Sequence, residues 1–125
     1  MTESYGYRSA NEMLDLPDPP TAYLCSSIIA ALGVRRAVEA RGLTMARDVS
    51  IITHDDDLSY LSNRGEVPIF TATRSSVRDA GRLCAERVIS LVQNPVQPAR
   101  QVLLEADLTV GQSTGPAPAS PARDT

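Results

Sequence analysis

The architecture follows from residues 22–57, which read AYLCSSIIAALGVRRAVEARGLTMARDVSIITHDDD. Residues 22–25 are a short apolar run, which predicts a strand buried on both faces. Residues 28–41 place apolar side chains on one stripe and charged ones on most of the rest, the pattern of an amphipathic helix. Residues 49–53 form a second, β-branched run. Two strands and a helix within about thirty residues have the size of a βαβ unit, so we predict parallel strands joined by a right-handed crossover.

The ends of this helix carry the residues that start and stop helices. Ser26 and Ser27 are good N-caps, because a serine hydroxyl can accept a hydrogen bond from an orphaned backbone N–H. Gly42 stands where a helix commonly ends in a left-handed residue, and Leu43 can close the hydrophobic contact behind it. We therefore predict that the helix begins after Ser27 and stops before Gly42.

The rest of the chain continues the alternation of helices and strands. We predict helices over residues 3–16 and 77–94, each with one buried apolar face, and short strands over residues 69–73, 101–104 and 108–110. The resulting fold class is α/β, with three layers in which helices cover both faces of a mostly parallel sheet over residues 1–110. From Gly111 the chain is rich in Gly, Ser, Pro, Ala and Thr, so residues 111–125 are predicted to be a disordered tail.

Composition narrows the class of protein. The chain has 125 residues, of which 42% are apolar and 22% charged, the balance of one ordinary soluble domain and not of a multidomain enzyme. Its longest nearly unbroken apolar stretch, residues 22–34, is shorter than the roughly 20 residues of a membrane span. No basic region followed by an apolar one marks a secretory signal, so we expect a cytoplasmic location. A net charge of −3 disfavours direct DNA contact by this chain alone.

Candidate binding residues cluster where strands are predicted to end. Ligands of open α/β sheets generally bind at the carboxyl ends of parallel strands, and Asp55 follows the second strand directly. A carboxylate there can accept hydrogen bonds from sugar hydroxyls, coordinate a hard cation or act as a general base. We favour ligand contact for Asp55, whereas capping of the next turn explains Asp57 better.

Three further positions share this edge of the predicted sheet. Ser27 begins a helix whose free N–H groups could bind an oxygen-rich ligand, although capping explains it equally well. Arg74 lies between a predicted strand and helix, where its planar donors could grip a hydroxylated or anionic ligand or form a surface salt bridge. His54 is the only histidine, and a lone histidine at a strand end is more often a packed polar residue than a catalyst.

Motifs for catalysis, metals and cofactors are missing from the sequence. Neither Cys25 nor Cys84 belongs to a C-x-x-C pair, and one histidine does not make a zinc site. There is no G-x-S-x-G elbow, and the glycines are scattered singly, which argues against a phosphate-binding loop. We therefore predict no catalytic residue, no metal and no cofactor, so the chain is not expected to be an enzyme.

The series of motifs resembles one family closely. The chain resembles the C-terminal part of LacI/GalR-type bacterial transcriptional regulators, whose effector domain is similar to periplasmic sugar-binding proteins. The resemblance runs from about Gly6 to Pro116. It is carried by Pro20-Thr21-Ala22, Ala31-Leu32-Gly33-Val34-Arg35-Arg36-Ala37, Arg41-Gly42-Leu43, Asp48-Val49-Ser50-Ile51-Ile52-Thr53-His54-Asp55-Asp56, Pro68, Phe70-Thr71-Ala72-Thr73-Arg74, Gly81 and Ser113-Thr114-Gly115.

This resemblance implies a function and a partial domain. It implies a lobe that senses a sugar or similar small effector to control DNA binding, here without the helix-turn-helix domain and the first lobe. The family's acidic residue at the end of the second strand falls on Asp55, where it commonly binds ligand hydroxyls. The family's Asn-Asp pair falls on Ser27 and Ile28, so one standard polar contact is absent. A homodimer is the implied assembly.

Two alternatives remain open at this stage. The chain could be a fragment of a sugar-binding protein of a transport system, which has the same kind of lobe. It could also be a small enzyme or cation-binding protein that uses Asp55 and Asp56, although no motif in the sequence gives positive support for enzymatic chemistry.

Overall fold

The computed structural model describes residues 2–57 and 61–118. Within them the sheet has the strand order β1-β2-β3-β4. Its first three strands are parallel, and β4 runs antiparallel to β3. This mixed α/β architecture with a mostly parallel sheet confirms the predicted α/β fold class, although among the described helices only α2 packs directly on the strands. The elements, in chain order, are α1 (Glu3–Leu14), β1 (Ala22–Cys25), α2 (Ile28–Ala40), β2 (Ser50–Asp55), β3 (Thr71–Arg74), α3 (Val77–Gln93) and β4 (Asp107–Thr109).

The predicted βαβ unit is present with the predicted caps. The Ser27 hydroxyl accepts a hydrogen bond from the backbone N–H of Ala30 at 3.3 Å. At the other end, Gly42 has φ +72°, and the N–H of Leu43 donates to the carbonyl of Val38 at 3.1 Å. This is the pattern in which a left-handed glycine closes a helix, so short-range signals alone determine both ends of α2.

The core lies between α1, α2 and one face of the sheet. Helix α2 packs on β1 and β2, and α1 packs on α2. Glycines allow the two helices to approach closely: a methyl group on Gly6 would collide with the carbonyl of Ala30, and one on Gly33 with the carbonyl of Glu3. Residues with at most 1% exposure in this layer include Ala10, Ala31, Ala37, Val38, Ile51 and Phe70.

The predicted tail begins later than we expected. Ser113 is fully buried: its hydroxyl donates to the carbonyl of Ile51 and accepts the N–H of Thr71 at 2.8 Å. Glycines on either side permit this contact, because a side chain at Gly111 would meet the backbone of Phe70. Residues 111–115 are therefore part of the packed structure. The last residues of the predicted tail, 119–125, lie outside the described residues.

Two predictions in the last third of the chain are wrong. Residues 101–104 form no strand. Helix α3 has nearly the predicted bounds, but none of its described residues is buried, and it packs on no other described helix or strand. Val88 and Val92, predicted to face a core, are 59% and 76% exposed. Both errors have one cause: an apolar pattern predicts a buried face only when another surface is present to cover it.

Candidate functional site

An ion pair occupies the carboxyl ends of β2 and β3. Asp55 and Arg74, the last residues of these strands, are register partners, and Arg74 Nη2 donates to Asp55 Oδ2 at 3.2 Å. The carboxylate side chain is only 5% exposed, whereas the arginine side chain is 31% exposed. Parallel pairing thus brings two of the four predicted site residues into contact.

The second oxygen of Asp55 is also bonded. Its Oδ1 accepts the backbone N–H of Asp57 at 3.0 Å. Asp57 has φ +59°, a left-handed conformation that aspartate tolerates better than most residues. With both oxygens engaged, Asp55 is held in one orientation and in turn orients Arg74.

Asp57 stands at the start of the loop that follows β2 and carries an ion pair of its own. Arg64 donates to its carboxylate, and this hydrogen bond lowers the pKa of the Asp57 carboxyl below its usual range. The group is therefore ionised at neutral pH. Asp57 thus combines a turn position with a charged partner.

His54 is bonded on both ring nitrogens. Its Nδ1 lies 3.0 Å from the hydroxyl of Thr73 and its Nε2 lies 3.2 Å from the hydroxyl of Ser75. Alternation along a strand places it on the face opposite Asp55, in agreement with the alternating burial of β2. His54 therefore belongs to a network of hydroxyl groups beside Arg74.

Ser27 lies near the same edge but is joined to a different partner. Its hydroxyl caps α2 through Ala30. In the parallel pairing of β1 and β2, Cys25 lies opposite Thr53. Ser27 and Asp55 each come two residues later, so both lie at the same end of the sheet. Among the described residues, no hydrogen bond or ion pair joins Ser27 to Asp55 or Arg74.

A cavity of about 300 Å³ lies beside Arg74 and contains residues that sequence analysis missed. Glu105 and Asp107 reach it because β4 pairs with β3, with Asp107 opposite Arg74. Nothing in the local sequence announces that long-range pairing. The Nε atom of Arg74 is buried and has no hydrogen-bond partner in the described part of the chain. The lining residues are Asp57, Arg74, Ser75, Ser76, Asp79, Leu104, Glu105 and Asp107.

A second cavity, of about 270 Å³, lies on the other side of Asp57. Its wall includes Asn63, which is buried and fixed to the backbone of Phe70: Oδ1 accepts the N–H at 2.9 Å, and Nδ2 donates to the carbonyl at 2.8 Å. The amide thus mimics a neighbouring strand. Sequence analysis missed Asn63, since a polar residue in a turn-rich stretch gives no sign of burial.

The arranged groups at this edge are a carboxylate, a guanidinium and several hydroxyls. In residues 2–57 and 61–118, no group of three His, Cys, Asp or Glu side chains is placed to hold a metal ion. None of the helices in these ranges combines the length and apolar character needed to cross a membrane. Groups of these kinds can donate hydrogen bonds to a polar ligand and accept them from it.

Comparisons with known sequences agree on one family. Residues 1–114 match the family described as periplasmic binding protein-like domain. The HTH-type transcriptional regulator AglR of Rhizobium meliloti is 46% identical over 118 residues, which are 94% of this chain and 33% of that protein. The probable HTH-type transcriptional repressor ExuR of Bacillus subtilis is 30% identical over 110 residues, 86% of this chain and 32% of the repressor. The chain thus spans about a third of the length of these curated relatives.

Solved structures show the same fold. A LacI transcriptional regulator from a Rhodococcus species superposes with a TM-score of 0.70 at 27% identity, over 93% of this chain and 41% of that one. The lac repressor dimer bound to operator and the anti-inducer ONPF gives 0.78 at 27% identity, over 92% and 39%. This chain belongs to the periplasmic binding protein-like domain family, and its relatives in that family are LacI-type transcriptional regulators.

Proposed function

We propose that this chain is the ligand-sensing part of a LacI-type transcriptional regulator, which binds a sugar or similar small effector to control DNA binding elsewhere in the protein. The observation that carries the proposal is the Asp55–Arg74 pair at the ends of adjacent parallel strands. That edge is where ligands of open α/β sheets bind. A related protein of 27% identity, the lac repressor, has been solved with the small molecules ONPG and ONPF.

The four predicted site residues take different roles in this proposal. Arg74 contacts the ligand, because its side chain is partly exposed and lines the cavity. Asp55 positions the guanidinium through the hydrogen bond that it accepts from Arg74. His54 acts through Ser75, which lines the cavity. Ser27 adds a hydroxyl or a helix N–H at the rim of the same edge.

Neither alternative function gains support. The named relatives are transcriptional regulators, not transport proteins or enzymes, so the regulator hypothesis is preferred over the transport-protein fragment. Asp55, which an enzyme hypothesis needs as a base, has both oxygens engaged by Arg74 and Asp57.

A second copy of this chain is the proposed protein partner. The lac repressor has been solved as a dimer, and we propose a homodimer here, in the cytoplasm and without direct DNA contact from this chain. Light scattering after size exclusion is expected to give about twice the 13.4 kDa of one chain. A monomer at all accessible concentrations would contradict the dimer without affecting the ligand site.

The ligand site is tested by titrating the ¹⁵N-labelled chain with uncharged mono- and disaccharides and recording amide shifts. Weak, millimolar binding is expected, because the chain spans about a third of its relatives. Shifts should map to the ends of β2 and β3 and should be lost in Arg74→Met. Arg8→Met, on the exposed face of α1, is the matched control. The proposal fails if no sugar moves these amides, or if both variants respond like the parent chain.

A further inference from the structure

The cavity beside Arg74 is strongly acidic. Four carboxylates, those of Asp57, Asp79, Glu105 and Asp107, line it together with the single cation of Arg74. A ligand that enters it therefore meets mostly acceptors and negative charge. Such a wall accepts hydrogen bonds from hydroxyl groups, since each ionised carboxylate offers two acceptor oxygens.

Two of the four carboxylates have cationic partners. Asp57 is bound by Arg64, and Asp79 lies 3.6 Å from Arg82; Arg78 acts on Asp57 at longer range. The remaining two, Glu105 and Asp107, have no ion pair within 4 Å among the described residues. The wall formed by Glu105 and Asp107 is thus without a cationic partner among the described residues.

The positive charge of Arg74 does not offset the excess of carboxylates in this cavity. Its guanidinium is already paired with Asp55 at 3.2 Å, and Asp107 is its register partner on β4. What the arginine still offers to a ligand is the exposed part of its side chain, 31% of the whole, beside the cavity. Because the carboxylate of Asp55 balances the charge of this guanidinium, its N–H donors suit a hydroxyl or ring oxygen better than a phosphate.

We infer that this site takes an uncharged sugar and discriminates against the phosphorylated or acidic form of the same sugar. The inference rests on the proposed function, because it names the ligand class of that site. A phosphate monoester carries about −1.5 to −2 charges at pH 7. It would meet Glu105 and Asp107 without a free cation to offset the repulsion, whereas a neutral sugar donates its hydroxyl protons to the same carboxylates.

The test compares matched ligands by amide titration of the full chain: glucose with glucose 6-phosphate and glucuronate, and ribose with ribose 5-phosphate. We expect each acidic form to bind at least about fivefold more weakly than its neutral partner at low salt. The difference should shrink at 1 M salt, where the Debye length is about 3 Å. An acidic form that binds as tightly as its neutral partner would overturn the inference and leave the proposed function intact. Binding by neither form of either sugar would instead count against the site itself, and so against both.

A charge-neutralising variant gives an independent check. In Glu105→Gln/Asp107→Asn, the affinity for glucose 6-phosphate relative to glucose should rise about fivefold, as expected for removing two charges within about 8 Å in a water-like medium. Glu12→Gln, on the exposed face of α1, is the control and should leave the ratio unchanged. An unchanged ratio in the double variant would refute the role of this wall. If the double variant unfolds, its amide spectrum will show this. The single substitutions Glu105→Gln and Asp107→Asn then test the role of the wall, and each is expected to give about half the effect on a logarithmic scale.

Discussion

Asp55 is a buried carboxylate that the fold pairs with an arginine and holds in one orientation. Taking a charge out of water is costly unless a partner and hydrogen bonds replace the lost hydration. Arg74 provides the partner and the backbone N–H of Asp57 provides the hydrogen bond. Rigidity of this kind suits a binding residue, because a side chain already held in place loses little entropy when a ligand arrives.

Removing one member of the Asp55–Arg74 pair should lower the free energy of unfolding more than breaking an exposed ion pair does. We expect Asp55→Asn to lower the free energy of unfolding by about 2–4 kcal/mol, since it leaves a partly buried guanidinium without its counter-charge. Glu39→Gln, which breaks the exposed Arg35–Glu39 pair at 2.7 Å, should cost less than about 0.5 kcal/mol. Urea denaturation measures both. Equal losses would show that Asp55 is not held as a buried ion pair.

The strand-end positions of the site residues could be predicted from the sequence, but the residues that they contact could not. The end of a β-branched run places Asp55 at the carboxyl end of the sheet, and the same argument applies to Arg74 at the end of β3. Asn63 and Asp107 lack such a signal: one acts through the backbone of Phe70, the other through pairing of β4 with β3. Both contacts join residues that are separate in sequence, so local patterns do not reveal them.

At the scale of elements, the α1–α2 contact depends on two missing side chains. Gly6 and Gly33 face each other's helix so closely that a Cβ atom would enter a backbone carbonyl. Contacts to a backbone are difficult to relax, because the helix itself must shift. The apolar patterns of α1 and α2 do not predict this close contact, because a glycine inside a predicted helix usually counts against the helix.

Gly33→Ala is therefore expected to push α1 away from α2 and to destabilise the chain by about 1–3 kcal/mol, the usual cost of overpacking. Gly81→Ala is the matched control: it lies within α3, and a Cβ there meets nothing within 4 Å. Alanine should favour that helix by up to about 1 kcal/mol. Thermal unfolding followed by circular dichroism would record a lower Tm for the first variant only. A Tm equal to or above that of the parent chain for Gly33→Ala would contradict the close contact.

The elements that were predicted correctly share one property. In the β1–α2–β2 unit, apolar period, caps and the terminal glycine all lie within the segment itself. Besides the exposed face of α3, the failures concern residues 101–104 and 111–115, for which the outcome depends on distant parts of the chain. The first has apolar residues but no strand beside it, whereas Ser113 finds a place between Ile51 and Thr71 that composition gave no reason to expect.

The whole molecule is packed unevenly. Helix α2 buries seven residues, whereas α3 buries none among those described. The hydrogen bonds that tie α3 to another part of the chain run from Arg87 and Ser90 to the segment that follows it, at Gln97 and Pro98. Helices of this length gain most of their stability in proteins from tertiary packing of one face. Besides these bonds to the following segment, the described structure supports α3 by its caps, its own hydrogen bonds and pairs such as Arg82–Glu86.

This imbalance predicts that α3 opens without unfolding the rest of the domain. Hydrogen exchange followed by mass spectrometry should show amides of α3 exchanging at least about a hundredfold faster than those of α2, because local stability follows buried apolar contact. α2 serves as the internal control, because it is a helix with a buried face in the same sample. Protection of α3 that rises with protein concentration would instead locate the contact between the two copies of the proposed homodimer on this helix. Equal protection of α2 and α3 in dilute, monomeric chain would contradict the uneven packing, since it would require α3 to be covered by the domain itself.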